Sequence, residues 1–180
     1  MNSVIELVNN KFSVNQLSFK MKPILFGGLA MEYYGLREAG KDTDLIISDE
    51  DYQIFAEKYP NCGFDIWGDR GIFIWGNKGD NGVFKEPYIE LYRSNMHLDY
   101  NFYLDGAVEE ERLYIISMEK LLLTRVFAIE TQKYKEDLKL IEKYILNKHQ
   151  NKRYSEEAET HQNSYKKNEW GIVFNGKYND

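Results

Sequence analysis

The chain is poor in cysteine and proline, has no cationic surplus, and contains no long apolar run. Its single cysteine, Cys62, excludes an intrachain disulfide and offers no ligand cluster for zinc. Cys62 reads as a small buried or half-buried side chain. Lys and Arg number 23 against 29 Asp and Glu, a formal net charge of −6. Proteins that grip long nucleic acid usually carry a basic face, so polynucleotide is disfavoured as the main partner. Only a local group such as Lys133, Lys135 and Lys139 runs against that balance. The same balance does not exclude a nucleotide that arrives with a metal ion, because the metal supplies positive charge. No apolar run approaches the roughly 18 residues of a membrane span. The opening MNSVIELVNNKF has an early Glu and no apolar h-region, so no secretory signal is read there and a cytoplasmic protein is expected.

What is present is a globular composition. Of 180 residues, 43% are hydrophobic and 29% charged, enough for one domain with a core of its own. Tyrosines number 14 and are spread along the chain rather than confined to a repeat. After Lys148 the composition turns sharply polar, which divides the chain into a domain over 1–148 and an extension over 149–180, solvated or partly disordered. Within that extension Trp170 to Phe174 is apolar enough to dock as a strand.

Hydrophobic spacing gives the order of elements. Val4, Ile5, Leu7, Val8 and Phe12 fit a helix followed by a loop. Ile24-Leu25-Phe26 reads as a short buried strand, Leu29 to Leu36 as a helix closing near Gly35, and Leu45-Ile46-Ile47 as a second buried strand. The acidic run from Ser48 to Asp51 suits the start of a helix through Tyr52, Phe55 and Ala56 that ends by Pro60. From Phe64 to Ile116 the period changes to two. Strands are expected at Phe64–Trp67, Gly71–Trp75, Pro87–Tyr92, His97–Leu104 and Leu113–Ile116, with a turn-rich loop over Gly76–Glu86. In the fourth of these, His97, Asp99 and Asn101 share one face. Ser117 is placed to cap a helix whose stripe is Met118, Leu121, Leu122, Val126 and Ile129. A break near Thr131-Gln132 precedes a last helix carrying Tyr134, Leu138, Ile141 and Ile145.

The chemistry concentrates between Pro23 and Ser48. An apolar strand ends in Gly27-Gly28, and a short helix follows. A turn containing Arg37 and Lys41 then leads to Asp42-Thr43-Asp44 at the head of the next strand. Glycines let a backbone approach a ligand closely, and amides at a helix start attract phosphate. Residues two apart on a strand share a face, so Asp42 and Asp44 project together. Like charges so close repel, and a metal ion is the usual way to keep both ionised.

In that order and spacing the segment GGLAMEYYGLREAGKDTDLIIS resembles the signature of the polymerase-beta-like nucleotidyltransferase superfamily, and in particular its small bacterial branch. That branch includes the abortive-infection nucleotidyltransferase toxins. The later stretch IISMEKLLLTRVFAIETQKYKEDLKLI is similar to that branch's helical segment, so the likeness spans most of residues 23–145. It implies an α+β fold, a central mixed sheet backed by helices with a helical C-terminal part. It also implies a nucleoside triphosphate held by two magnesium ions, Gly27 and Gly28 cradling phosphates, and Asp42 and Asp44 binding metal. A third carboxylate is expected from a neighbouring strand, with Asp99 the first candidate and Glu90, between Ile89 and Leu91, its rival.

The expected reaction is in-line transfer of a nucleoside monophosphate to a hydroxyl on a protein, an RNA end or a small molecule. The third carboxylate would assist the acceptor hydroxyl. Lys41 and Arg37 are candidates to neutralise the triphosphate, and His97 to touch substrate. If the chain acts as a toxin, an antitoxin-like protein partner follows from the resemblance. Two other readings stand beside this one. The chain could keep the fold as a non-catalytic module that binds a nucleotide or a partner protein. Alternatively, Gly-Gly and Asp-Thr-Asp could be turn chemistry alone.

Overall fold

The computed structural model describes residues 3–40, 42–59, 63–66, 69–75, 87–128 and 131–148. Two compact units are distinguished, residues 1–139 and 140–180. The first holds the sheet and all the site residues discussed below. Of the second, only 140–148, the end of a helix, is described. The element order is α1 (Ser3–Val14), β1 (Ile24–Phe26), α2 (Gly27–Tyr33), β2 (Asp44–Ile46), α3 (Asp49–Lys58), β3 (Gly63–Ile66) and β4 (Asp69–Trp75). Then follow β5 (Pro87–Tyr92), β6 (Ser94–Asn95), β7 (Leu98–Asp99), α4 (Tyr100–Leu104), β8 (Val108–Glu109), β9 (Tyr114–Ile115), α5 (Met118–Val126) and α6 (Gln132–Lys148).

Seven strands form one sheet in the order β3-β4-β5-β2-β1-β9-β8. It is mixed. β1 runs antiparallel to β2 but parallel to β9, and β2 runs parallel to β5. The expected α+β class with a mixed sheet is therefore what the chain adopts. The register explains why the central strands read as continuous apolar runs. Leu25 pairs with Leu45 and Ile115, and Leu45 with Leu91, which in turn faces Ile72. All five are buried in one apolar layer. Residues one position along lie on the other face, where Phe26, Asp44, Glu90 and Phe73 form a row across four strands. That row becomes the site.

The helices form where caps and apolar stripes coincide. Ser48 caps α3, its Oγ accepting from the Asp51 amide at 3.1 Å, while Ser117 caps α5 by accepting from the Lys120 amide at 3.3 Å. On α1 the buried positions are Val4, Ile5, Val8, Lys11 and Phe12, a helical stripe with a lysine in it. On α5 the stripe differs from expectation. Met118 and Leu121 are buried, but Val126 is exposed, and Thr124 and Arg125 are buried in its stead. Among the described residues no helix is long and apolar enough to cross a membrane.

One expected strand is not there. His97–Leu104 begins as the short strand β7 and turns into helix α4 at Tyr100. The reason is local. The Asp99 carboxylate accepts the Phe102 amide at 2.9 Å, which nucleates a helical turn, and Tyr100 and Tyr103, three apart, bury themselves on one side of it. Period three wins over period two. The expected loop over 76–86, Cys62, Lys41, Ile129 and the whole 149–180 extension lie outside the described residues.

Candidate active site

The site starts with a glycine that can be nothing else. Gly27 ends β1 and opens α2 with φ of +67°, a left-handed conformation. A Cβ there would lie 1.8 Å from Asp44 Oδ2. Phe26 pairs directly with Asp44 across the antiparallel β1–β2 ladder, so the chain turns sharply over the carboxylate it has just passed. The Gly28 amide donates a hydrogen bond to the Asp44 carboxylate. The start of α2 thus presents one of its N–H groups to Asp44. Gly28 itself has room for a side chain, its nearest would-be neighbours standing at 3.8 Å.

Across the parallel β2–β5 ladder Asp44 pairs with Glu90, and the Glu90 amide donates to the Thr43 carbonyl at 2.9 Å. Two carboxylates are therefore held side by side in mid-sheet. Burial raises the Asp44 pKa to about 6, with the negative charge of Asp42 adding to the rise, while Arg125, the Gly28 amide and Lys133 offset part of it. Burial likewise raises Glu90 to about 7, and Asp44 pushes it further in the same direction. Tyr92, two residues on and so on the same face, donates its hydroxyl to Glu90 Oε2. Tyr92 fits because its strand neighbour on β4 is Gly71, where a Cβ would come within 2.8 Å of the Tyr92 ring. Burial and Glu90 together push the Tyr92 phenol well above the usual range, so it is a donor throughout the physiological range.

Asp42 and Thr43 precede β2. Asp42 Oδ1 is shielded from solvent. Thr43 is fully buried, and the Lys11 ammonium of α1 donates to its hydroxyl at 2.6 Å.

A second wall comes from α5 and the first two turns of α6. Asp137, 1% exposed, receives two arginines. Arg37 bonds it through Nε at 2.5 Å and a terminal nitrogen at 3.0 Å, and Arg125 through Nε at 3.0 Å. The Arg125 guanidinium also lies 4.9 Å from the centre of the Tyr134 ring. Between this wall and the Asp44–Glu90 row lies a cleft of about 780 Å³. Gly27 and Gly28 line one end, and Arg125, Lys133 and Tyr134 line the other side. The third boundary is the β6–β7 hairpin. Its two turn residues, Met96 and His97, both have positive φ (55° and 62°) and both line the cleft. The cleft thus places negative, positive and apolar surfaces around one volume.

The sequence-predicted residues sort cleanly by place. Gly27, Gly28, Asp44, Glu90 and His97 converge on the cleft. Asp42 adjoins Asp44 but does not line the cleft. Asp99 does not join the carboxylates: it is exposed and occupied as the cap of α4, so Glu90 is the carboxylate that the sheet sets beside Asp44. Arg37 is not aimed at the cleft, because Asp137 holds it and it also donates to the Glu38 carbonyl at 2.9 Å. Lys41 falls outside the described residues.

Among the described residues no three His, Cys, Asp or Glu side chains form a group able to hold an ion by themselves. Asp44 and Glu90 do offer two adjacent hard oxygen donors, whose ionised forms are disfavoured first by burial and then by neighbouring carboxylate charge. That donor set fits magnesium, which keeps several waters and is commonly held by one or two carboxylates plus substrate phosphates. No family model matches the chain, and no curated protein or solved structure matches it either.

Three residues of this site escape a reading of the sequence. Lys11 had a signal, a lysine in the apolar stripe between Val8 and Phe12. Tyr92 had one too, lying two residues beyond Glu90 on the same strand. Arg125 had none, since only the fold brings α5 opposite β2.

Proposed function

We propose that the chain is a metal-dependent nucleotidyltransferase of the polymerase-beta-like kind, moving a nucleoside monophosphate from a nucleoside triphosphate to a hydroxyl acceptor. The observation that carries this reading is the pairing of Asp44 with Glu90 beneath the Gly27 turn, at the floor of a cleft whose far side carries Arg125 and Lys133. Asp44 and Glu90, with Asp42 adjoining, would hold magnesium, which supplies charge neutralisation at the α-phosphate and acidifies an acceptor hydroxyl.

The rest is the work of side chains. Lys133 and the Arg125 guanidinium offer positive charge to the triphosphate, and Asp137 keeps Arg125 in place. Tyr134 and Met96 give the cleft flat and apolar surface against which a nucleobase can lie. Glu90, beside the metal that would acidify the acceptor hydroxyl, would also be placed to take its proton, and Tyr92 fixes its Oε2 so that the carboxylate keeps one orientation.

The test is calorimetric binding of each nucleoside triphosphate with and without magnesium, on the wild type and on Asp44→Asn and Glu90→Gln. Binding that needs both the metal and the carboxylates is expected. A wild type that binds no triphosphate sinks the reading. A second reading, a nucleotide-binding module without turnover, is favoured by the lack of a third ligand among the described residues. It predicts binding with no transfer of labelled nucleotide to any acceptor.

A further inference from the structure

Lys11 takes no part in the scheme above, yet it is built into the same place. It occupies a core position on α1, 3% exposed, and its ammonium donates to Thr43 Oγ1 at 2.6 Å. Thr43 is itself fully buried and stands between the two aspartates of the motif. A methionine or leucine would fill this apolar stripe without the cost of desolvating a charge. Burial lowers the Lys11 pKa below the usual lysine value, and the negative charges of Asp42 and Asp44 offset part of that fall. Neither Lys11 nor Thr43 lines the cleft, whereas Asp44 and Glu90 do.

We propose that Lys11 is a resident cation of the acidic strand, a positioning residue that opposes binding of a bare divalent ion and favours entry of the ion already complexed to triphosphate. The inference rests on the nucleotidyltransferase reading and extends it to the order of loading. The physics is one of sign. A bare divalent cation approaching Asp44 meets the field of the Lys11 ammonium, which interacts electrostatically with that carboxylate. At the effective dielectric of a protein interior, that repulsion amounts to a factor of about ten or more in affinity. A metal–triphosphate complex carries net negative charge, so the same lysine attracts it. Lys11 thereby sets which form of the metal the site accepts.

The experiment measures binding of Mn²⁺ alone, and of Mn²⁺ with a non-hydrolysable triphosphate, to the full chain. It compares the wild type with Lys11→Met, Lys11→Gln and Lys11→Arg, each checked for folding by circular dichroism. Lys11→Met is expected to tighten bare Mn²⁺ about tenfold and to weaken the Mn²⁺–triphosphate complex. Lys11→Gln, which keeps a hydrogen-bond donor for Thr43, is expected to do the same if the methionine variant does not fold. Lys11→Arg is expected to stay near the wild type. A residue that only props up the strand would loosen bare Mn²⁺ when replaced, so looser or unchanged binding in both neutral variants overturns the assignment. If the wild type binds metal–triphosphate while those variants show unchanged Mn²⁺ affinity, the loading inference falls and the enzyme reading stands. If no protein of the series binds Mn²⁺ or metal–triphosphate, both fall.

Discussion

Asp44 and Glu90 are register partners on adjacent parallel strands, and the negative charge of Asp44 is one of the causes that raise Glu90 to about 7. The sign of the resulting pH dependence follows directly. Both groups hold protons more tightly in the folded chain than at their ordinary values of 3.8 and 4.5, so the folded state binds more protons than the unfolded between roughly pH 4 and 7. Their contribution to stability is present below pH 4 and lost as pH rises through 6 to 7. Urea unfolding from pH 4.5 to 8 without divalent cations is expected to show that decline. Glu90→Gln is expected to flatten it, and millimolar magnesium with nucleotide to restore stability at the alkaline end. A Glu90→Gln profile that superimposes on the wild type would contradict the arrangement.

Replacing either of the two motif glycines separates geometry from composition. Gly27→Ala meets both a left-handed backbone and the Asp44 carboxylate, so a loss of about 2–4 kcal/mol is expected, or no folded protein at all. Gly28→Ala meets nothing closer than 3.8 Å and is expected to fold with little change. Chemical denaturation of the two variants side by side checks the contrast.

Asp137 makes a comparable prediction on the other wall. Removing it by Asp137→Ala leaves Arg37 and Arg125 without their shared carboxylate, at an expected cost of about 3–5 kcal/mol. Arg37→Ala, which leaves the Arg125–Asp137 pair intact, is expected to cost less. Equal losses in the two variants would show that the arginines act as one unit rather than as separate partners.

Asp99→Ala is the variant that the resemblance and the fold judge differently. As a third metal ligand it would abolish metal-dependent binding. As the cap of α4 it is expected to cost about 1 kcal/mol of stability and leave nucleotide binding unchanged. Parallel unfolding and calorimetry decide between the two.

These cases show what the sequence made legible. The strands β1 and β2 were readable because their apolar runs are buried, β5 because its buried Ile89 and Leu91 alternate with Glu90 and Tyr92, and the caps Ser48 and Ser117 because capping is local chemistry. The juxtaposition of Asp44 with Glu90 was not readable, because it depends on β2 pairing with β5 across 46 positions of the chain. A carboxylate on an alternating segment looks the same whether the segment stays extended or coils. At Asp99 the side chain's bond to the Phe102 amide decided for the coil, and that bond competes with strand pairing in a way no periodicity reveals. Arg37 is a related case. Its proximity to the acidic motif along the chain was real, but a carboxylate a hundred residues on took the guanidinium.

In the seven-stranded order, β2 is the middle strand, with three strands on either side of it. Sheets fray from their margins, so β3 and β8 are expected to exchange their amide hydrogens with solvent long before the amides around Asp44 and Glu90 do. A protein that puts its chemistry on a mobile loop can lose activity by local opening while the rest of the domain stays folded. Here Asp44 and Glu90 sit where opening requires the sheet to come apart, so a ligand bound to them would slow exchange at the most protected amides of that sheet.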